Sequence, residues 1–140
     1  MYATSTELKQ RIGDVYAALY TAADGSSMDA EMAADLAAAS AEIDGLIGLR
    51  YETPVTAVSA LPLLKSWTLT LAEELAWVRS GKSDLTENLK SRIAYVRGLL
   101  DKIAGGRMRL PGLAESASSG TMLIAKADDP VFTRDEMEGY

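Results

Sequence analysis

Residues 28–49 read MDAEMAADLAAASAEIDGLIGL, and the larger apolar residues in this stretch recur every three or four positions. This spacing is the period of an α-helix with one apolar side. The apolar side consists of Met32, Leu36, Ala39, Ile43, Leu46 and Ile47. The acidic residues Glu31, Asp35 and Glu42 lie off that side. The stretch predicts a long amphipathic helix, and its many alanines allow a neighbouring helix to approach closely.

A second helix is predicted after an irregular loop that contains Pro54 and ends near Ala60, because the residue before a proline avoids the helical region. Pro62 suits the first helical turn, where its missing N–H costs no hydrogen bond, and Gly81 marks the end. The apolar side of this helix is broad, which is typical of the central helix of a bundle. It consists of Leu63, Leu64, Trp67, Leu69, Leu71, Leu75, Trp77 and Val78.

The last helix is predicted from about residue 84 to residue 104. Asp84 and Glu87 have the spacing of a capping box at its start, and Gly105 and Gly106 follow its end. Its apolar residues alternate in steps of four and three, which is a helical period. They are Leu85, Leu89, Ile93, Val96, Leu100 and Ile103.

Two short helical segments precede residue 28. Thr4 and Glu7 have the spacing of a capping box, which predicts a helix that continues to about Ile12. Gly13 and Asp14 interrupt it, and residues 15–20 again show helical spacing. A turn is expected before Met28.

Together these segments predict an all-α fold, a small bundle of about four helices. Two long amphipathic helices, a central apolar helix and short N-terminal helices make up a bundle domain of residues 1–104. Residues 105–140 are predicted to form an extended C-terminal segment, which we call the arm. A chain of 140 residues is long enough to bury one core without disulfides or a structural metal.

The arm contains a succession of helix-breaking residues that permits no helix of ordinary length. They are Pro111, Gly112, the serines and glycine of residues 116–120, and Pro130. Residues 121–125, TMLIA, are the one β-like run after the helices. Five residues are too few for a stable strand alone, so the run would need an edge from another subunit or from residues 107–110 in a hairpin.

The last ten residues, VFTRDEMEGY at 131–140, carry the only phenylalanine of the chain and end in tyrosine. Aromatic side chains beside charges, at the end of a segment with no core of its own, are typical of an anchor in a protein interface. The candidate interaction residues are Phe132, Arg134, Asp135, Met137 and Tyr140. The receiving surface can be the protein's own core, a neighbouring copy or a different protein.

The composition argues against an enzyme. The chain has no cysteine and no histidine, which excludes thiol nucleophiles, histidine acid/base chemistry and the usual zinc sites. No catalytic, metal or cofactor residues are therefore assigned. There is neither a basic and apolar leader nor an apolar run of about 20 residues. A soluble intracellular protein without membrane contact is expected.

The net charge of −6 is unevenly distributed. Residues 1–60 hold three basic and nine acidic residues, whereas residues 61–104 hold seven basic and five acidic ones. Binding to nucleic acid by phosphate neutralisation requires a dense basic face, which the chain lacks. The asymmetry fits head-to-tail packing of copies, but ordinary solvated helix faces explain it equally well.

Two acidic patterns look functional but have plainer interpretations. Asp24, Gly25 and Asp29 suggest a calcium loop, yet the alternating oxygen ligands and the closing glutamate are missing, so a turn before a helix is favoured. Glu73 and Glu74 are adjacent in a predicted helix. Their side chains would diverge by about 100°, so they would not form an acid/base pair.

Two further patterns suggest nucleic-acid binding. Trp67 and Trp77 lie on nearly the same helical side, but core or subunit contact is favoured over a platform for stacking bases. The short N-terminal helices could resemble a helix-turn-helix. Residues 15–20 contain no arginine, lysine, asparagine or glutamine to read bases, which argues against it.

Three segments, in order along the chain, resemble the Mu-like prophage family of small head-tail connector proteins. The first is Met1–Thr4, which opens a short helix. The second is Ala41–Gly45 followed by Leu49–Tyr51 and Pro54. The third is the closing VFTRDxMxGY of residues 131–140. The resemblance therefore spans nearly the whole chain.

The resemblance implies a structural protein of the virion neck in a tailed bacteriophage or prophage, assembled in the host bacterial cytoplasm. Such adaptors form a ring, commonly of twelve copies, beneath the portal and join the DNA-filled head to the tail. The implied partners are other copies of the chain, the portal protein and a tail terminator or other neck protein. DNA would pass through the lumen without sequence-specific binding. The alternative is a small helical regulatory or nucleic-acid-binding protein of a phage.

Overall fold

The computed structural model describes residues 1–20, 27–81 and 85–116, with the exception of the Tyr16 side chain. In these residues the chain forms five α-helices and a short 3-10 turn at Gly13–Val15, with no β-strand. The helices are α1 (Ser5–Ile12), α2 (Tyr16–Leu19), α3 (Met28–Ile47), α4 (Leu61–Arg79) and α5 (Glu87–Ala104). The predicted all-α fold is confirmed, because α1, α3, α4 and α5 pack together as a bundle.

The N-terminal capping box is confirmed. The backbone N–H of Thr4 donates to Glu7 Oε2 at 2.9 Å, and the N–H of Glu7 donates to Thr4 Oγ1 at 3.3 Å. Lys65 also donates to the Glu7 carboxylate at 2.6 Å, so α4 is tied to the start of α1. The hydrogen bond from Lys65 and the one from Thr4 N–H lower the pKa of Glu7. α1 ends at Ile12, with Gly13 as its C-cap, as predicted.

Contacts between side chains fix the directions of α1 and α3. Tyr2, just before α1, donates a hydrogen bond to Asp44 near the end of α3. At the other end of α1, Lys9 pairs with Asp29 in the first turn of α3 at 2.6 Å. The two helices are therefore antiparallel.

α4 and α5 continue the up-and-down pattern. Arg79 at the end of α4 pairs with Asp35 in the first half of α3, so α4 is antiparallel to α3. Arg97 in α5 reaches Glu42 of α3, and Arg50 beyond the end of α3 reaches Ala104 at the end of α5. α5 is therefore parallel to α3 and antiparallel to α4.

The core lies between α1, α3, α4 and α5, and α4 contacts α1, α2, α3 and α5. This confirms α4 as the central helix. The predicted apolar side of α3 is confirmed, with Leu46 half-buried and the rest buried. Residues that are fully buried in this core include Leu8, Met32, Leu36, Ile43, Ile47, Leu64, Leu71, Leu100 and Ile103.

The predicted apolar side of α4 is wrong at Leu63, which is 39% exposed near the start of the helix, and at its carboxyl end. Val78 is 67% exposed, whereas Ala72 and Ala76 are fully buried. The small side chains of Ala72 and Ala76 allow the backbones of α3 and α4 to approach closely. The side of α4 that faces the core therefore contains these alanines. Val78 then lies on the outer surface.

The predicted start of α5 is also wrong. The helix begins at Glu87, and Thr86 is its N-cap, because the Thr86 hydroxyl accepts a hydrogen bond from the N–H of Leu89 at 3.3 Å. Asp84, the predicted cap, lies outside the described residues. The end of α5 before Gly105 is confirmed.

Asp35 was placed off the apolar side of α3, yet it is only 7% exposed. Arg79 donates to both of its carboxylate oxygens, at 2.6 and 2.9 Å, and the Tyr20 hydroxyl donates at 2.8 Å. The Arg79 guanidinium also lies 4.8 Å from the centre of the Tyr20 ring. This ionic cluster joins the segment after α2 to α3 and α4. Its ion pair and hydrogen bonds compensate the burial of the Asp35 carboxylate.

Candidate functional site

The predicted interaction residues Phe132, Arg134, Asp135, Met137 and Tyr140 lie outside the described residues, as does the β-like run at 121–125. The first part of the arm, residues 105–116, is described, and we call it the arm origin. It does not leave the bundle directly. It returns along the loop between α3 and α4, residues 48–60, and is fastened to it at several points.

The arm origin begins with a tight turn at the end of α5. Gly106 has a φ of 73°, in the left-handed region that favours glycine. The N–H groups of Arg107 and Met108 both donate to the carbonyl of Lys102, at 2.8 and 3.1 Å. A Cβ at Gly106 would lie 2.8 Å from a nitrogen of the Arg50 guanidinium, so glycine also allows this close approach.

Arg50 connects the end of α5 and the end of the arm origin to the loop after α3. Its Nε donates to the carbonyl of Ala104 at 3.3 Å, which satisfies one of the last carbonyls of α5. Its own carbonyl accepts a hydrogen bond from the N–H of Ser116 at 2.8 Å. A cation at the C-terminal end of a helix also interacts favourably with the helix dipole.

Leu110 holds the middle of the arm origin against the bundle. Its side chain is 2% exposed, and Met108 and Leu113 pack against the same core. The N–H of Leu110 donates to the hydroxyl of Tyr51 at 3.2 Å, and Tyr51 is itself buried. Leu110 of the arm origin is therefore part of the folded core, although residues 105–140 are predicted to form an extended arm.

The hydrogen bonds of the arm origin argue against the hairpin considered for residues 107–110. Three backbone N–H groups in this segment, those of Arg107, Met108 and Leu110, already donate to Lys102 or Tyr51. Few donors remain there for a second strand, because a ladder needs unpaired backbone groups. The other possibility, an edge from another subunit, stays a prediction.

Gly112 and Ser59 form the closest contact between the arm origin and the loop. The Ser59 hydroxyl donates to the carbonyl of Pro111 at 3.0 Å. Gly112 has a φ of 75°, and a Cβ there would lie 2.0 Å from Ser59 Oγ. Any side chain at this position would meet both backbone strain and a steric clash.

We therefore expect Gly112→Ala to lower the free energy of unfolding by about 1–3 kcal/mol, because it forces a strained φ and displaces Ser59. Urea unfolding of the purified protein measures the loss. Gly45 is a suitable control, since it lies on the exposed side of α3 and a Cβ there meets nothing within 4 Å. Gly45→Ala should stabilise the helix slightly, and an equal loss for both variants would contradict the packing described above.

The loop between α3 and α4 is fixed from its other side by Tyr2. The Tyr2 hydroxyl accepts a hydrogen bond from the N–H of Val55 at 2.9 Å and donates to Asp44. Burial and the hydrogen bond to Asp44 raise the pKa of Tyr2 to about 12. The loop is thus held between the N-terminus and the arm origin.

Several exposed apolar side chains lie in or beside the loop between α3 and α4. Leu49 is 61% exposed and adjoins Arg50, while Val58 is 82% exposed and adjoins Ser59. Met1 and Leu63 are exposed as well. Scattered exposed apolar residues are normal on proteins, but two of these adjoin the points where the arm origin is fastened.

The two adjacent acidic residues of α4 face different partners. Glu73 lies 3.5 Å from Arg11 and from Arg92, whereas Glu74 lies 2.7 Å from Arg97. Both carboxylates form ion pairs between helices and face different partners, as the helical spacing of adjacent residues predicts. The hydrogen bonds from Arg97 to Glu74 and Glu42, the first of them the stronger influence, raise the pKa of Arg97.

Three further observations concern base stacking, metal binding and membrane spans, which the sequence raised as possibilities. Trp67 is buried and Trp77 packs half-buried against the core, which confirms core contact for both. Within residues 1–20, 27–81 and 85–116, no cluster of acidic side chains could hold a metal ion. None of the helices in those ranges has both the length and the apolarity for a bilayer crossing.

The residues that hold the arm origin carry little signal in the sequence. Tyr51, Ser59 and Leu110 lie in segments without helical period, where apolar spacing carries no information. The proline and glycine at 111–112 indicated a turn but not what it packs against. The usable signal was Leu110, an isolated apolar residue between an arginine and a proline.

The fold and the arm origin define a class of protein, a small all-α bundle. The segment after its last helix is held against the loop between α3 and α4 before the chain continues. The sequence pattern of the family described as Bacteriophage Mu, Gp36 matches residues 2–124. The chain belongs to this bacteriophage family, which confirms the resemblance at the level of the family. The match includes the bundle and the arm origin and ends before residues 131–140. No curated protein sequence matches the chain significantly.

Proposed function

We propose that the protein is a structural subunit of the phage neck, a head-tail connector that forms a ring beneath the portal and joins the head to the tail. Membership of a bacteriophage Mu family supports a phage role. The observation that carries the proposal is the arm origin. It makes one end of a compact bundle a fixed starting point for residues 117–140, which carry the predicted anchor.

The length of the remaining chain is sufficient for contact with another subunit. Twenty-four residues follow Ser116, and they span at most about 80 Å when extended. α3, with 20 residues, is about 30 Å long. An arm that starts from a fixed point can therefore extend well beyond its own bundle, as an anchor between neighbours requires.

In this proposal the partners are other copies in a ring of about twelve, the portal protein, and a tail terminator or other neck protein. Phe132 and Tyr140 occupy apolar pockets of a partner, Met137 adds apolar contact, and Arg134 and Asp135 form ion pairs across the interface. The protein acts by assembly and not by catalysis. DNA passes through the lumen without sequence-specific contacts, and assembly takes place in the bacterial cytoplasm.

Deletion of residues 128–140 tests the proposal. The helix content and the melting temperature should remain nearly unchanged, because the core residues of the described chain, of which Leu110 and Leu113 come last, all precede the deletion. Ring formation or attachment to portal particles should be abolished. The measurement is the particle mass of the purified protein, alone and mixed with portal particles. Unfolding of the truncated protein would show instead that these residues belong to its own core.

Arg134→Ala is the sharper variant, because it removes one charge and leaves the rest of the arm intact. If its ion pair is buried in the interface, we expect binding to weaken by about 3–5 kcal/mol, whereas a surface pair would cost less than about 1 kcal/mol. Titration of portal particles with the variant measures the difference. Specific retardation of duplex DNA by the wild-type protein at moderate salt would instead support the regulatory alternative.

A further inference from the structure

Residues 1–12, which we call the strap, are attached to the bundle largely through charged side chains. The strap has three charged side chains, and each forms an ion pair with a residue of α3 or α4. The pairs are Glu7 with Lys65 at 2.6 Å, Lys9 with Asp29 at 2.6 Å, and Arg11 with Glu73 at 3.5 Å. Charges of both signs on the strap therefore meet the opposite charge on the bundle.

The apolar contribution to this attachment is small. Ala3 and Leu8 are the buried residues of the strap, while Tyr2 and Ile12 pack half-buried against the core. α1 has 8 residues, fewer than an isolated helix needs to persist in water. The helical structure of the strap therefore depends on its docking, and the pairs of Glu7 and Lys9 are exposed enough for salt to screen them.

The chain that follows the strap has the properties of a hinge. The 3-10 turn at Gly13–Val15 buries no side chain, and all three of its residues are exposed. Beyond this turn the chain is fixed again at Tyr20, which is buried and donates a hydrogen bond to Asp35. The strap is thus separated from the next fixed point by a segment that is not packed against the core, so it can move without displacing α3 or α4.

The strap also holds the loop between α3 and α4. The Tyr2 hydroxyl accepts a hydrogen bond from the N–H of Val55 at 2.9 Å and donates to Asp44. The same loop contains Tyr51 and Ser59, to which the arm origin is fastened. When the strap leaves the bundle, the N–H of Val55 loses its acceptor.

We propose that the strap is a releasable element of the fold, which leaves the bundle at raised ionic strength while α3, α4 and α5 stay folded, and which frees the loop when it leaves. Release exposes few apolar side chains, so this opening needs less free energy than global unfolding. Salt promotes it because ions screen the pairs that hold the strap. The proposal concerns the isolated protein and is independent of the connector role.

A single cysteine in the strap tests the proposal without background, because the chain has none of its own. Ala3 is 4% exposed, so the thiol of Ala3→Cys reacts with a maleimide only when the strap leaves the bundle. We expect its labelling rate to rise about fivefold between about 0.05 M and about 1 M NaCl, the effect of screening two exposed ion pairs.

The matched control is Val96→Cys in α5, because Val96 is also 4% exposed. Its thiol should label at least about tenfold more slowly than that of Ala3→Cys, and salt should leave its rate nearly unchanged. Equal rates for the two variants would overturn the proposal, since the strap would then open only with the whole bundle. A fast but salt-independent rate at position 3 would also overturn it, because ion pairs would not hold the strap.

Removal of one ion pair gives the same effect without salt. Lys65→Ala, added to Ala3→Cys, should raise the labelling rate about threefold at low salt and make the response to NaCl smaller. Lys90→Ala is the control, since it removes an exposed pair with Glu87 that does not involve the strap. It should leave the rate unchanged, and equal effects of the two variants would contradict the role assigned to the pair with Glu7.

Hydrogen exchange of the wild-type protein tests the link to the loop and avoids any effect of the cysteine. The N–H of Val55 should exchange about fivefold faster at high salt, in step with the labelling of Ala3→Cys. The N–H of Leu64 in α4, which donates to the carbonyl of Ala60 at 3.1 Å, should keep its rate. Unchanged exchange at Val55 while the labelling of position 3 rises would show that the loop does not depend on the strap, which overturns this part of the proposal.

Discussion

Leu71→Ala is expected to lower the free energy of unfolding by about 3–5 kcal/mol. Leu71 is fully buried in the middle of α4, which contacts every other helix of the described bundle. Removal of its side chain leaves a cavity, because helices on several sides cannot all move to fill it. Urea or guanidinium unfolding followed by circular dichroism measures the loss.

Val78→Ala is the matched control on the same helix. The sequence placed both residues on one apolar side, but Val78 is exposed. Its replacement should change the free energy of unfolding by less than about 0.5 kcal/mol. Similar losses for the two variants would mean that the carboxyl end of α4 is covered, contrary to the fold described above.

Asp35→Ala is expected to cost about 2–4 kcal/mol. The change leaves the Tyr20 hydroxyl buried without its acceptor and removes the partner of Arg79. The guanidinium is more than a third exposed, so water compensates part of its loss, and we place the expected value below that of a fully buried pair. Lys90→Ala removes an exposed pair with Glu87 and should cost less than about 0.5 kcal/mol.

The ionisation of Tyr20 gives this prediction a second readout. Burial and the hydrogen bond to Asp35 raise the pKa of Tyr20. The folded state therefore holds the phenolic proton more tightly than the unfolded state, whose tyrosines titrate near pH 10. The resulting stability is fully present below pH 10 and is lost as the pH rises further. In Asp35→Ala the tyrosinate absorbance of Tyr20 should appear at lower pH, and an unchanged titration would contradict the hydrogen bond.

The helices were predictable because their signals are local. The capping box of Thr4, the apolar period of α3 and the glycines after α5 each act within a few residues, so the sequence alone indicates them. Proline at the start of α4 is a signal of the same kind. The all-α fold follows from these segments, since each has one apolar side that must be buried.

The contacts that depend on distant residues were not predictable. Asp35 is buried because Arg79, 44 positions later, pairs with it, and no local pattern indicates that partner. Thr86 is the N-cap of α5 in place of the predicted Asp84. Asp84 and Thr86 both have side chains that can cap a helix, and the local pattern does not decide between them. The arm origin depends on Tyr51 and Ser59, more than 50 positions away in sequence.

The double connection of Arg50 has a mechanical consequence. A force that pulls on the chain beyond Ser116 first loads the hydrogen bond to the Arg50 carbonyl, and through it the end of α3. Leu110 must then leave the core before the tension can reach the last turn of α5. The last turn of α5 is thus shielded from a load on the chain beyond Ser116 until these contacts are broken.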